Sequence, residues 1–114
     1  MKYMLMFCGS PAAQEEWEAI PDEIRNEGYR RIGEWFGSHA DKLVSTEELQ
    51  SPTSATRVTF TDGVPVVTDG PYPEAKEVIG GYAVFDLEDR AAAVELARTW
   101  PGQGTVEIRP VVER

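Results

Sequence analysis

The sequence predicts an α+β domain built on an antiparallel sheet, and three observations predict it. Short β-prone runs over residues 2–8, 43–49, 81–87 and 105–111 are interleaved with two stretches of helical spacing. Asp62-Gly63 lies between two further β-prone runs, which is the usual chemistry of a tight hairpin. The first run, KYMLMFC, is apolar at nearly every position, whereas a strand with one buried face would alternate. A chain of 114 residues is large enough for one modest core, so residues 1–114 are read as a single domain.

The elements are taken in chain order. The first apolar run is too short for a signal-peptide core and is read as a strand. Residues 9–21 are expected to form a loop or a short helical turn around Trp17. Pro21 suits the first position of a helix, with Asp22 and Glu23 near its positive end. Ile24, Gly28, Ile32, Trp35 and Phe36 recur at spacings of three and four, which predicts an amphipathic helix over about 22–38. LVSTEEL at 43–49 is a strand closed by Ser51-Pro52. TRVTF and VPVVT at 56–60 and 64–68 are the arms of the hairpin, and Pro65 places the second arm at an edge. GYAVFDL at 81–87 alternates, with Ala83, Phe85 and Leu87 on one face. Asp89 suits the cap of a second helix over 90–99, striped by Ala93, Val94, Ala97 and Trp100. TVEIRPV closes the sheet.

Without the hairpin, the order is β-α-β-β-α-β, the ferredoxin-like arrangement, with both helices on one face of an antiparallel sheet. Its other face would be wet in a monomer. Yet the first strand is apolar on both sides, and Tyr82 and Val84 point away from the helix-facing set. Two such sheets packed face to face in a symmetric homodimer remove the conflict. On this reading Met4 and Met6 divide between the helices and the partner sheet.

Composition narrows the function. The net charge of −9 repels phosphate backbones, and the 11 Lys and Arg form no basic block, so no direct nucleic-acid partner is expected. No run approaches the roughly 20 apolar residues that span a bilayer. Cys8 is alone and cannot form an intrachain disulfide, which suits a cytoplasmic location, and it is read as a small core residue. One His and one Cys do not make a zinc site. No Gly-rich phosphate loop or Gly-x-Ser-x-Gly elbow is present, so neither metal nor cofactor is expected.

The hairpin motif Thr61-Asp62-Gly63 recurs as Thr68-Asp69-Gly70, and there Pro71 and Pro73 come after it. Each proline biases the residue before it toward an extended path, so the chain leaves stiffly and does not turn back. Glu74, Lys76 and Glu77 come next, then Gly80-Gly81, which permit close approach of a backbone or a ligand. Asp69, Tyr72, Lys76, Glu77, Gly80 and Gly81 form a candidate site at a sheet edge. Asp69 has two open roles: a carboxylate base, with Lys76 steadying an oxyanion, or an Asx-type bond to nearby backbone. His39, at the end of the first helix, has the same two-sided reading, as a helix-terminus histidine or a catalytic one.

VTDGPYPEAKEVIGGYAVFDL resembles the signature stretch of the YCII-related proteins, in the DGPF-domain subgroup. Asp69, Gly70 and Pro71 match the name-giving motif, with Tyr72 in the place of Phe. Glu74, Lys76, Glu77, Gly80, Gly81 and Tyr82 match the family's acidic-x-Lys-Glu run and its Gly-Gly-Tyr. The resemblance implies a dimeric α/β barrel. It also implies a small-molecule protein related to isomerase-like and dehydrochlorinase-like enzymes, or a non-catalytic module linked to an extracytoplasmic-function sigma factor. A small carbonyl or aromatic acid would suit the enzyme reading. Some members of the family have a proposed His–Asp pair, with the His soon after the first strand. Here residues 9–21 contain no histidine.

Overall fold

The computed structural model describes every residue from Met1 to Arg114 except residues 71, 73 and 74. The stiff exit expected from Pro71 and Pro73, and the acidic position Glu74, therefore lie outside the described residues. The order is β1 (Lys2–Gly9), α1 (Pro11–Ala19), α2 (Asp22–Ser38), β2 (Leu43–Glu48), a short 3-10 turn (Pro52–Ser54), β3 (Thr56–Thr61), β4 (Val64–Asp69), β5 (Val78–Asp86), α3 (Arg90–Arg98) and β6 (Thr105–Pro110). Strands β2-β5-β1-β6 form one antiparallel sheet, and β3-β4 form a separate two-stranded ribbon. This α+β arrangement is compatible with a ferredoxin-like fold.

Register explains the core. Tyr3 and Leu5 of β1 pair with Phe85 and Ala83 of β5, so these side chains share one face. They are buried with Trp35 of α2 and with Ala93 and Leu96 of α3. Full burial of a side chain such as Phe85 or Leu5 contributes about 1.5–3 kcal/mol. Phe7 extends the layer by stacking on Trp100 at 4.0 Å and meeting Trp35 edge-on at 6.3 Å. The polar end of Trp35 is satisfied: its indole Nε1 donates to Thr99 Oγ1 at 2.8 Å.

The opposite face of the sheet carries Met4, Met6, Tyr82 and Val84, with Met6 paired to Tyr82 and Met4 to Val84. The two methionines therefore point the same way, because they stand two residues apart on a regular strand. The expected division between helices and open face is corrected: Tyr3, Leu5 and Phe7 face the helices, and Met4 and Met6 do not.

Local chemistry sets the ends. Ser10 Oγ accepts from the Ala13 amide at 3.0 Å, and Pro11 opens α1. Residues 11–19 are thus a helix where a loop or single turn was expected. Pro21 stands at the N-cap, one place before the helix it was expected to begin, and its carbonyl accepts from Ile24 and Arg25 at 3.1 Å. Ile24 is 60% exposed, outside the buried stripe expected of it. The front half of α2 meets α1 through Gly28 and Tyr29, whose hydroxyl also donates to Glu48 of β2 at 2.7 Å, while Trp35 and Phe36 carry the apolar packing onto the sheet. A Cβ at Gly28 would stand 2.8 Å from the Trp17 ring, so this helix contact needs glycine. Asp89 caps α3 as expected, accepting from the Ala92 amide at 2.9 Å.

In the ribbon, Asp62 has φ 51° and Gly63 φ 79°, with Thr61 paired to Val64. Two positive φ values in a two-residue loop make a type I′ turn, as the Asp-Gly pair predicts. Two glycine substitutions should therefore act in opposite directions. Gly63→Ala places a Cβ in left-handed backbone and should cost the hairpin about 1–2 kcal/mol. Gly33→Ala, in α2 with open space around it, should add about 0.5–1 kcal/mol. Denaturant melts and amide exchange in β3–β4 read both, and a neutral Gly63→Ala would contradict the turn.

Candidate functional site

The sheet face away from the helices has an apolar middle and a polar corner. Met4, Met6, Tyr82 and Val84 are half-buried, and Ile79, paired with Cys8, is 46% exposed. On the neighbouring strand, Thr105 pairs with Cys8, Glu107 with Met6 and Arg109 with Met4, so all three side chains emerge on this face. The hydroxyl of Thr105 donates to Glu77 Oε1 at 3.3 Å, which draws the carboxylate just before β5 onto the same corner. Cys8, Thr105, Glu77 and Glu107 therefore form a compact group beside apolar side chains.

The electrostatics agree with that geometry. The Cys8 thiol is held above its ordinary pKa, first by burial, then by the Glu77 carboxylate and then by Glu107. Burial and two nearby negative charges both disfavour a thiolate. Cys8 is suited to packing and not to nucleophilic attack, and its Sγ–H points to the Met6 carbonyl at 3.6 Å. What the corner offers is two carboxylates and a hydroxyl at the rim of an apolar surface.

The remaining expected site residues occupy other surroundings. Asp69 ends β4, is exposed, and accepts from Thr56 Oγ1 at 3.2 Å across the ribbon. The Gly70 amide donates to the Ala55 carbonyl at 2.7 Å, and a Cβ at Gly70 would stand 2.6 Å from the Pro52 carbonyl oxygen. Only glycine fits where the chain is pinned to the 3-10 turn. Tyr72 folds back so that its hydroxyl donates to the Thr68 carbonyl at 3.0 Å, and the Arg57 guanidinium covers its ring at 3.6 Å. The second Thr-Asp-Gly thus makes a clasp at the base of the ribbon. Lys76 is exposed nearby in sequence.

Gly80 and Gly81 lie at an irregularity of β5, where the pairing with β1 shifts between Phe7 and Cys8. The Gly80 carbonyl accepts from Leu49 at 2.8 Å, and a Cβ at Gly81 would stand 3.0 Å from the Glu47 carbonyl oxygen. What Gly81 admits here is the neighbouring strand β2, while a Cβ at Gly80 would meet only Gln14 and Phe7 at ordinary contact distance. His39 is the C-cap of α2, with its ring edge-on to Trp35 at 5.2 Å. Sequence reasoning missed Arg57, Thr105 and Glu107. The signal for the last two was the alternation of β6, which puts 105, 107 and 109 on the face opposite Val106 and Ile108. Among the described residues, no group of acidic, His and Cys side chains is placed to hold a metal ion.

A family model described as the YCII-related domain matches residues 1–114. The chain belongs to the YCII-related family. An uncharacterized protein of Rhizobium meliloti (strain 1021) is 32% identical over 115 residues, covering 97% of this chain and 92% of that protein. The YCII-related match includes the ribbon, so both the clasp and the acidic corner lie within the family domain. No helix among the described residues is long and apolar enough to cross a membrane.

The corner makes a pH-dependent prediction. With the Cys8 pKa raised, alkylation by iodoacetamide should be slow at pH 8 and should accelerate only as pH rises further. Glu77→Gln keeps a partner for Thr105 but removes a charge, so it should lower the pKa and speed alkylation at pH 8. Glu107→Gln should do the same more weakly. Unchanged rate profiles in both variants would contradict the corner.

Proposed function

We propose that this YCII-related protein works as a homodimer that binds a small molecule between the open face of its sheet and the partner subunit. The observation that carries the reading is the half-buried face of Met4, Met6, Tyr82 and Val84, bordered by Glu77, Thr105 and Glu107. A second sheet against this face would remove apolar surface from water and would turn an open corner into an enclosed one. The ligand best matched to two carboxylates and a hydroxyl beside Met and Tyr is an apolar or aromatic molecule carrying a hydrogen-bond donor. A free acid would be repelled there.

Proton transfer on a small carbonyl compound is the enzymatic form of the proposal, with a carboxylate as base. Asp69 and Glu77 are both exposed and each accepts from one threonine hydroxyl, so Glu77 is the better placed base only because it borders the apolar face. Asp69, Tyr72 and Lys76 are then proposed to shape the rim at the ribbon's base. Membership of the DGPF subgroup rests on Asp69-Gly70-Pro71 with Tyr72 in the Phe place. The cytoplasmic location rests on the lone Cys8, and a regulatory role beside a sigma factor rests on the resemblance alone.

The test is a thermal-shift screen of small aromatic amines, alcohols, carbonyl compounds and acids, with turnover assays on any hit. A hit should raise the Tm of the wild type, and Glu77→Gln should abolish the shift without changing the unliganded Tm by more than a few degrees. A hit lost in Asp69→Asn but kept in Glu77→Gln would move the site to the ribbon base. Met6→Glu, which sets a carboxylate on the apolar face, should weaken self-association at least about tenfold.

A further inference from the structure

Among the described residues, no helix or strand of the main sheet packs extensively along the ribbon β3–β4, and every residue of both its strands is exposed. Its two faces differ. Val58 opposes Val67 and Phe60 opposes Pro65 on one face, whereas Arg57, Thr59, Thr61 and Thr68 share the other with Val64 and Val66. Arg57 and Tyr72 cover part of the second face. The first face holds no polar side chain along these two pairs, and it is bare: Val58 is 52% exposed, Phe60 71% and Val67 66%. A lone two-stranded ribbon is marginal in water. The radius of gyration, 16.0 Å, exceeds the roughly 13 Å of a compact chain of this size, as a projecting arm requires.

A matching receptor exists at the far edge of the sheet. Strand β6 is an edge strand, and beside it Val94, Ala97, Trp100, Val106 and Ile108 line a shallow concavity with Arg98 on its rim. We propose that the apolar face of the ribbon in one copy docks in this α3–β6 groove of a second copy. The inference rests on the two-copy reading above and adds the contact that closes it.

Topology and area both select a second copy as the occupant. When two sheets pack face to face about a two-fold axis running along the strands, β2 of one lies over β6 of the other. The ribbon comes after β2 and one short turn, so it leaves the body at the edge that meets the partner's β6. Each arm then meets the other copy's groove, and the assembly closes at two chains.

The areas point the same way. With strands about 4.8 Å apart rising about 3.3 Å per residue, the flat sheet face covers roughly 400 Å². That is about half of the ~800 Å² per partner found in stable interfaces. The ribbon face adds roughly 200 Å² and the groove that receives the other arm about as much again. The three together reach the area typical of a lasting dimer.

Phe60→Asp tests the contact directly, because Phe60 is too exposed for the chain's own core to depend on it. The dissociation constant of the dimer should rise at least about thirtyfold. As a second measurement, Cys8→Ser chains carrying Val67→Cys are mixed and equilibrated with Cys8→Ser chains carrying Arg98→Cys. A short bismaleimide should then join unlike variants, and neither variant should cross-link efficiently by itself. An unchanged dissociation constant with no mixed cross-link would overturn the arm-in-groove contact while leaving the face-to-face dimer in place. A chain that stays monomeric at every concentration would overturn both.

Discussion

The fold depends on a strand with two faces to bury. Strand β1 lies between β5 and β6 and presents Tyr3, Leu5 and Phe7 to the helices. Its alternate residues, Met4 and Met6, face the other way, where no helix among the described residues covers them. An antiparallel sheet can leave one face to water when that face is polar. Here its middle is apolar, and the polar groups stand at its borders: Thr105, Glu107 and Arg109 on β6, Glu77 just before β5, and Ser45 and Glu47 on β2. The same constraint that organises the core therefore creates the demand for a second layer, and the acidic corner sits where that layer would end.

The two copies of Thr-Asp-Gly show how surroundings decide the work of a short motif. In the first, positive φ at Asp62 and Gly63 reverses the chain in two residues. In the second, Gly70 has no room for a side chain beneath the Pro52 carbonyl, and Asp69 and Tyr72 are bonded to Thr56 and Thr68 of the ribbon. The Asp69 carboxylate is occupied by Thr56 in the isolated chain, whereas Glu77 lies at the border of the apolar face. The two carboxylates differ in what lies beside them, not in being engaged, since Thr105 bonds Glu77 as Thr56 bonds Asp69.

Much of the fold was legible because its signals are local. The spacing of Ile32, Trp35 and Phe36, the alternation of Ala83, Phe85 and Leu87, the Asp89 cap and the Asp-Gly turn each act within a few residues. α1 was missed because one aromatic, Trp17, carries its packing onto Gly28 and leaves no broad apolar stripe to read. Ile24 misled for a related reason: helical spacing says which residues share a stripe, but not how far along the helix the sheet extends. The corner was less legible still. Glu77 and Thr105 are 28 residues apart, and they meet only through the pairing of β1 with both neighbours and the irregularity beside Gly80. No spacing rule reports such a register. The fate of Met4 and Met6 was readable and was misread, since residues two apart on a strand share a face.

The central claim is that the uncovered sheet face belongs against a second copy of the chain. Sedimentation equilibrium from sub-micromolar to tens of micromolar protein tests it most directly. A reversible species of twice the 12.7 kDa chain mass is predicted at the upper end of that range. A folded species of 12.7 kDa at every concentration, with native circular dichroism, would contradict it.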